Sequence, residues 1–412
     1  MDAGGIYVMV SLARDCPTCA VTRDQAPACY PPELKLQGQK IINEFSKYPN
    51  TLAFAAGNEV NQYTPLGVTE WNAPCQKKFI RDMREYIDKC SSLRKVPIGL
   101  ISADNDREAA AAYYNCQGDD DPYEPADWYG LNSYVFCDGL AKTYRDALGF
   151  QLLQKSFANL NYSIPVLLTE FGCLSDTFPT IDGYPAQRNF FDAEWMLTEP
   201  ELQDQFSGGF AFEYSIEMEM AKSASPYPFT TFGLQNYGVG YFGPENCDDV
   251  TIPCTFHPFP ALNNLKHAYH MASNSSLTID SFVVPESRQV RNKCPEKFPP
   301  LHSFVWEADA YHHNMCPREP LILLVTKGQS VWVLASVLIT LCACFLVCFV
   351  RFPLGDIRLP ILLSSKSLGD VDKLSEESAG LLSMQHRRGS SETSLYKAID
   401  SDSSSDALEK LS

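Results

Sequence analysis

Six short apolar runs punctuate the first half of the chain: IYVMVSL (6–12), TLAFAA (51–56), VPIGLI (96–101), WYGLN (128–132), IPVLLT (164–169) and GFAFEY (209–214). Each is nearly continuous in apolar residues, the pattern of strands buried on both faces of a parallel sheet. Amphipathic stretches at 34–48, 77–90, 141–160 and 187–197, with Pro and Gly at their joints, read as the helices between them. Such alternation argues for repeated βα units. Six units are two short of a closed barrel, so the expected fold is an α/β (β/α)8 TIM barrel lacking its first two strands. The stretch 263–271 reads as the last helix of that barrel. Residues 1–3 run straight into the first strand, without the charged and apolar regions of a secretory signal. The expectation is therefore a chain incomplete at its N-terminus, without a signal peptide and about two βα units.

The pattern changes at 331–350, where VWVLASVLITLCACFLVCFV carries no charge. This is the length a helix needs to cross roughly 30 Å of hydrocarbon. The polar segment 351–412 that follows is rich in Ser and acidic residues and reads as a disordered tail. It also excludes a lipid-anchor signal, which ends in its hydrophobic tail. The domain reading is thus barrel 1–272, a Cys- and Pro-containing stalk 273–330, a transmembrane helix 331–350 and a tail 351–412. Within the tail, Glu377 with Leu381 and Leu382, and Tyr396 with Ile399, have the spacing of adaptor-read sorting signals.

Composition then fixes which side is which. Of 15 cysteines, 12 lie at or before Cys316 and three in the apolar run, with none in the tail, the distribution of an oxidised exterior joined to a reduced interior. The sequons at Asn161 and Asn274 agree, so the expected location is a single-pass cell-membrane protein with an external barrel and a cytosolic tail. A net charge of −17 argues against a nucleic-acid partner. His267, His270, His312 and His313 come without an HExxH pattern or a ligand quartet, so no metal is expected. Cys16 and Cys19 form a CxxC without a second matching pair, for which a disulfide is the expected state; Cys294 and Cys316 are expected to bridge each other.

Two of the apolar runs end in a glutamate: Glu59 after Asn58, and Glu170 after Thr169. In a barrel both lie on the C-terminal rim, where catalytic groups of this fold sit. Chemistry at a glycosidic bond takes one carboxyl to protonate the leaving oxygen and another to attack the anomeric carbon; a separation of about 5 to 5.5 Å gives retention. Two ordinary strand-end charges are the bland alternative, weakened by the Asn before one and the aromatic after the other. Glu213, Glu217 and Glu219 form a further acidic cluster that reads as loop charge.

The segments GIYVMVSL, FAAGNEV, VPIGLISADND, DWYGLNSYVFC, IPVLLTEFGC and GGFAFEY, in that order, resemble the β-1,3-glucanosyltransferases of glycoside hydrolase family seventy-two, over about residues 5–272. The resemblance implies Glu59 as general acid/base and Glu170 as nucleophile. It implies Asn58 on the sugar 2-hydroxyl, Tyr134 and Tyr214 as active-site tyrosines, and Asp104 and Arg107 as glucan contacts. It also implies β-1,3-glucan as donor and acceptor, with no cofactor. Acceptor-side aromatics such as Tyr63, Trp71 or Tyr241 would favour transfer over hydrolysis, with packing as their equal alternative. Ser11 departs from the family, which commonly has Asp there. A retaining hydrolase and a catalytically inactive glucan-binding membrane protein stay open beside the transferase.

Overall fold

The six apolar runs form one sheet. In the computed structural model its strands run parallel in sequence order: β1 (Val8–Ser11), β2 (Thr51–Asn58), β3 (Ile98–Ala103), β4 (Tyr129–Asn132), β5 (Val166–Phe171) and β6 (Gly209–Ala211). The structure describes residues 5–14, 16–65, 68–118, 121–247, 251–271, 283–311 and 316–317. Asn274, His312, His313, the apolar run 331–350 and the tail with Leu381, Leu382 and Tyr396 lie outside the described residues. Among the described residues no helix is long and apolar enough to cross a membrane.

Parallel neighbours require crossovers, and these are α1 (Pro32–Phe45), α2 (Ala73–Lys89), α3 (Arg107–Asn115), α4 (Leu148–Leu160) and α5 (Phe191–Thr198) with the short α6 (Pro200–Gln203). The result is a curled, half-barrel α/β sheet. After β6 come the short α7 (Met218–Ala221), an antiparallel ribbon of β7 (Gly240–Gly243) and β8 (Thr255–Pro258), and α8 (Pro260–His270), which packs on α5. The stretch 187–197 becomes helical only at Phe191, and two further helices differ from the sequence expectation. The stretch 141–160 becomes helical only at Leu148, because Thr143 spends its hydroxyl on Asp146 at 2.6 Å and holds a 3-10 turn. Helix α3 escaped the pattern because its REAAAAYYN sequence is high in helix propensity but has no polar and apolar alternation.

The sheet has two faces with different packing. On β2, Phe54 and Ala56 join Leu34, Ile42, Phe79 and Met83 in the core beneath the helices, whereas Ala53 and Ala55 meet Trp128 in a separate cluster. A Cβ on Gly99 would stand 2.4 Å from the Trp128 ring, so β3 needs a glycine for the indole to lie there.

The described part of 273–330 corrects the stalk expectation. Phe298 stacks on Tyr113 at 4.1 Å, Trp306 packs against Tyr30, and Phe298, Leu301, Trp306 and Ala308 belong to the main core. Lys35 donates to Ala308 O at 3.0 Å, and Lys78 pairs with Asp309 at 2.6 Å. These anchors are sparse among Pro and polar residues, which is why the composition read as a spacer. Cys294 and Cys316 do not bridge each other: Cys294 pairs with Cys116 and Cys316 with Cys90. The remaining disulfides are Cys16–Cys19, Cys29–Cys75, Cys137–Cys173 and Cys247–Cys254, so all 12 cysteines up to Cys316 are paired.

Candidate active site

Both sequence-predicted glutamates stand just past a break in strand register. Between β2 and β3, Ala55 pairs with Gly99 and Asn58 with Ile101, three steps against two. Between β4 and β5, Leu131 pairs with Leu168 and Asn132 with Glu170, one step against two. An extra residue of this kind re-aims the side chain that follows it. Plain alternation would send Glu170 the way of Val166 and Leu168, into the core beneath the helices. The bulge turns it toward the end of β4. Glu59 adopts a left-handed backbone (φ 49°, ψ 34°), a conformation costing a non-glycine residue roughly 1–3 kcal/mol. Its N–H is held by Ile101 O at 2.9 Å.

Asn132 links the two glutamates, by its amide to Glu59 and by strand register to Glu170. Asn132 Nδ2 donates to Glu59 Oε1 at 2.9 Å and to Asn58 Oδ1 at 3.2 Å, and Asn132 faces Glu170 across the β4–β5 ladder. Thr169 Oγ1 donates to Asn132 Oδ1 at 2.8 Å and fixes which end of the amide faces the acids. Tyr134 donates its hydroxyl to Glu170 Oε2 at 2.6 Å. Burial pushes the Glu170 carboxyl above its ordinary range, with the charges of Glu59 and Glu217 adding to the rise; the Tyr134 hydrogen bond and the nearby Asn132 amide act against it. Burial first, then the Glu170 bond, holds the Tyr134 hydroxyl far above the usual phenol range, so it remains a donor.

The ring of Tyr134 is boxed by aromatics. Tyr237 lies 5.7 Å from it and Phe212 6.4 Å, edge-on, with 5.3 Å between Phe212 and Tyr237. Neither Phe212 nor Tyr237 was expected from the sequence, nor was Asn132. Asn132 had a usable signal, a polar side chain ending an apolar run. Tyr237 had none, since it lies in a loop without strand or helix.

The other predicted residues fall as follows. Asp104 and Arg107 pair with each other, Arg107 Nε on Asp104 Oδ1 at 2.6 Å, and reach the site through Ser133, whose hydroxyl donates to Asp104 at 2.6 Å. Tyr214 is 62% exposed and stacks on Phe256 at 4.6 Å; its neighbours are rings, not the carboxylates. The reason is that β6 ends at Ala211, so strand alternation does not carry Tyr214 inward. Tyr241 is buried in a satellite cluster with Phe229 and Phe259, and Trp71 gives its indole N–H to Arg23 O at 3.2 Å. The Tyr63 side chain lies outside the described part. Asn161 is exposed at the C-terminus of α4. Among the described residues no three His, Cys, Asp or Glu side chains are grouped to hold a metal.

Glu213 corrects the reading of the third acidic cluster as loop charge. It is half-buried, its backbone pairs with Tyr237 and Val239, and burial, with Glu217 and Glu170 adding charge repulsion, raises its carboxyl to about 7. Glu217 and Glu219 are exposed.

The family profile described as glucanosyltransferase matches residues 1–221, more than half of the chain. The chain belongs to the glucanosyltransferase family. Among its relatives, the 1,3-beta-glucanosyltransferase gas5 of Schizosaccharomyces pombe is 35% identical over 53% of this chain and 40% of its own length. The 1,3-beta-glucanosyltransferase PGA4 of Candida albicans is 34% identical over 52% of this chain and 43% of its own. The structure of Saccharomyces cerevisiae Gas2p in complex with laminaritriose and laminaritetraose is similar at a TM-score of 0.51 and 25% identity. That match covers 71% of this chain and 55% of Gas2p. This glucanosyltransferase-family chain thus spans about half the length of the relatives it matches.

Proposed function

We propose that this chain acts as a 1,3-beta-glucanosyltransferase that cuts β-1,3-glucan and transfers the new reducing end to another glucan chain. The observation that carries this reading is the pair Glu59 and Glu170 flanking Asn132, whose amide holds Glu59 and which faces Glu170 across the β4–β5 ladder, with the Tyr134 hydroxyl on Glu170. Glu59 protonates the leaving glucan oxygen as Glu170 attacks the anomeric carbon, giving a covalent glycosyl-enzyme with inverted configuration. Glu59, now a carboxylate, takes the proton of an acceptor 3-hydroxyl as that oxygen displaces Glu170, restoring the configuration. Asn58 stands beside Glu59 for the sugar 2-hydroxyl, and Asp104 with Arg107 lines the approach behind Ser133. Family membership and the Gas2p complex with laminaritriose and laminaritetraose support β-1,3-glucan as donor and acceptor.

In this reading the six parallel strands are six of the eight of a (β/α)8 barrel over residues 1–272. The run 331–350 anchors it as a single-pass cell-membrane protein, barrel outside, with the tail 351–412 offering Leu381, Leu382 and Tyr396 to sorting adaptors. Six disulfides support an oxidising compartment for the residues before that run. The deciding experiment is incubation with a reduced laminari-oligosaccharide and size analysis of the products. Products longer than the donor are expected; only shorter ones mean a hydrolase, and an unchanged donor means a binding protein. Protease digestion of intact cells, leaving only the tail epitope protected, is the expected outcome for the topology.

A further inference from the structure

Arg188 stands outside the carboxylate pair, yet it is bonded to each segment that frames it. The side chain is 3% exposed residue-wide. Its Nη1 donates to Gly172 O at 2.8 Å and to Phe212 O at 2.6 Å, and its Nη2 donates to Tyr237 O. Gly172 lies two residues past Glu170, Phe212 directly follows β6, and Tyr237 sits in the loop before β7. Phe212 and Tyr237 are the two rings that box Tyr134. The guanidinium lies 4.7 Å over the Phe190 ring, and the Arg188 carbonyl accepts from Asn264 of α8 at 2.8 Å. Even the backbone is shaped to it: Gly172 has φ +111°, and a Cβ there would stand 2.7 Å from Nη1.

A buried guanidinium is costly, and an apolar replacement often stabilises a protein, so such a charge is kept for the geometry its planar fork imposes. Around Arg188 the titratable neighbours are Asp192, Glu213, Tyr134 and Tyr237; around Glu170 they are Glu59, Glu213, Glu217 and Tyr134. None of the four facing Arg188 forms a salt bridge with it among the described residues. Its contacts to the site are to three carbonyls instead. We infer that Arg188 is a positioning residue for the nucleophile: by clamping Gly172, Phe212 and Tyr237 it holds the aromatic box that aims the Tyr134 hydroxyl at Glu170. The inference rests on the proposed role of Glu170.

The test uses the full chain carrying 13C-labelled glutamate carboxyls, with the Glu170 resonance identified by its loss in Glu170→Gln. In Arg188→Lys and Arg188→Gln that retain the wild-type near-UV circular dichroism, the Glu170 midpoint is expected to rise by about one pH unit, because the Tyr134 bond that lowers it is weakened. On laminari-oligosaccharide, kcat is expected to fall at least about tenfold with KM within about twofold. An unmoved Glu170 midpoint in a folded variant overturns the inference. Should both Arg188 variants unfold, Asn264→Ala decides by the same titration: a rise supports the clamp, and no change sinks it. The titration needs no turnover, so a wild-type chain inactive on glucan refutes the proposed function without touching this measurement.

Discussion

Tyr134 donates a 2.6 Å hydrogen bond to Glu170, and three residues further along each segment Cys137 and Cys173 are joined by a disulfide. The cross-link ties the loop leaving β4 to the loop leaving β5 close to the bond that their side chains share. The hydroxyl and the carboxylate therefore belong to one braced unit, not to two independently mobile loops.

Replacing Tyr134 with Phe is expected to raise the Glu170 carboxyl further, since burial already raises it and the Tyr134 bond opposes the rise. A nucleophile must be ionised, so the acid limb of kcat/KM moves to higher pH. A hydrogen bond to a charged group is worth about 1.5–3 kcal/mol, so kcat/KM falls roughly ten- to hundredfold. A pH profile on laminari-oligosaccharide checks both; an unmoved acid limb removes Tyr134 from the ionisation of Glu170.

The double substitution Cys137→Ser with Cys173→Ser opens a loop of 36 residues. Chain entropy puts the lost stability at about 4 kcal/mol. Below the lowered melting temperature, activity is expected to fall as well, because the brace beside the Tyr134 bond is gone. Thermal melts and rates on one preparation separate the two effects, and full activity in the folded double variant argues against bracing.

The two glutamates are expected to fail differently. Glu170→Gln abolishes turnover while leaving laminari-oligosaccharide binding measurable by calorimetry. Glu59→Gln slows turnover by about 10²–10⁴-fold on glucan, but spares glycosyl-enzyme formation from an activated aryl glycoside, whose leaving group needs no proton. Unchanged turnover in Glu170→Gln would refute its assignment as nucleophile.

Glu213 makes stability depend on pH. Its carboxyl is raised from an ordinary 4.5 to about 7 by burial, so its stabilising contribution is complete below 4.5 and is lost as pH rises through 7. Glu213→Gln is therefore expected to melt like wild type below pH 4.5 and above wild type beyond pH 7. Scanning calorimetry across that window decides; a variant less stable at pH 8 reverses the sign and sinks the account.

Much of this architecture is legible in the chain. Continuous apolar runs mark all six parallel strands, and Glu59 and Glu170 show as acids at strand ends. Less legible is what depends on one extra residue in a ladder or on a distant contact. The bulges beside Glu59 and Glu170 are register events, defined only when two strands are paired. Tyr237 comes from an irregular segment, where no periodicity announces which face is buried, and Arg188 lies just before α5, outside the helix that its stretch predicts. Tyr214 shows the converse failure: an expected site residue whose strand ends three residues before it. Trp306 and Phe298 were hidden by their Pro-rich surroundings, because a short anchored segment and a spacer share a composition.

The long-range disulfides also impose an order on synthesis. Cys90 and Cys116 emerge early, but their partners Cys316 and Cys294 follow 226 and 178 residues later. At about 5–20 residues per second, Cys90 remains a free thiol for roughly ten to forty-five seconds after it is made. Cys29–Cys75 and Cys137–Cys173 can close within that interval. The last links of the chain thus seal the first half, and a ribosome that stops before residue 294 leaves two thiols open to wrong partners.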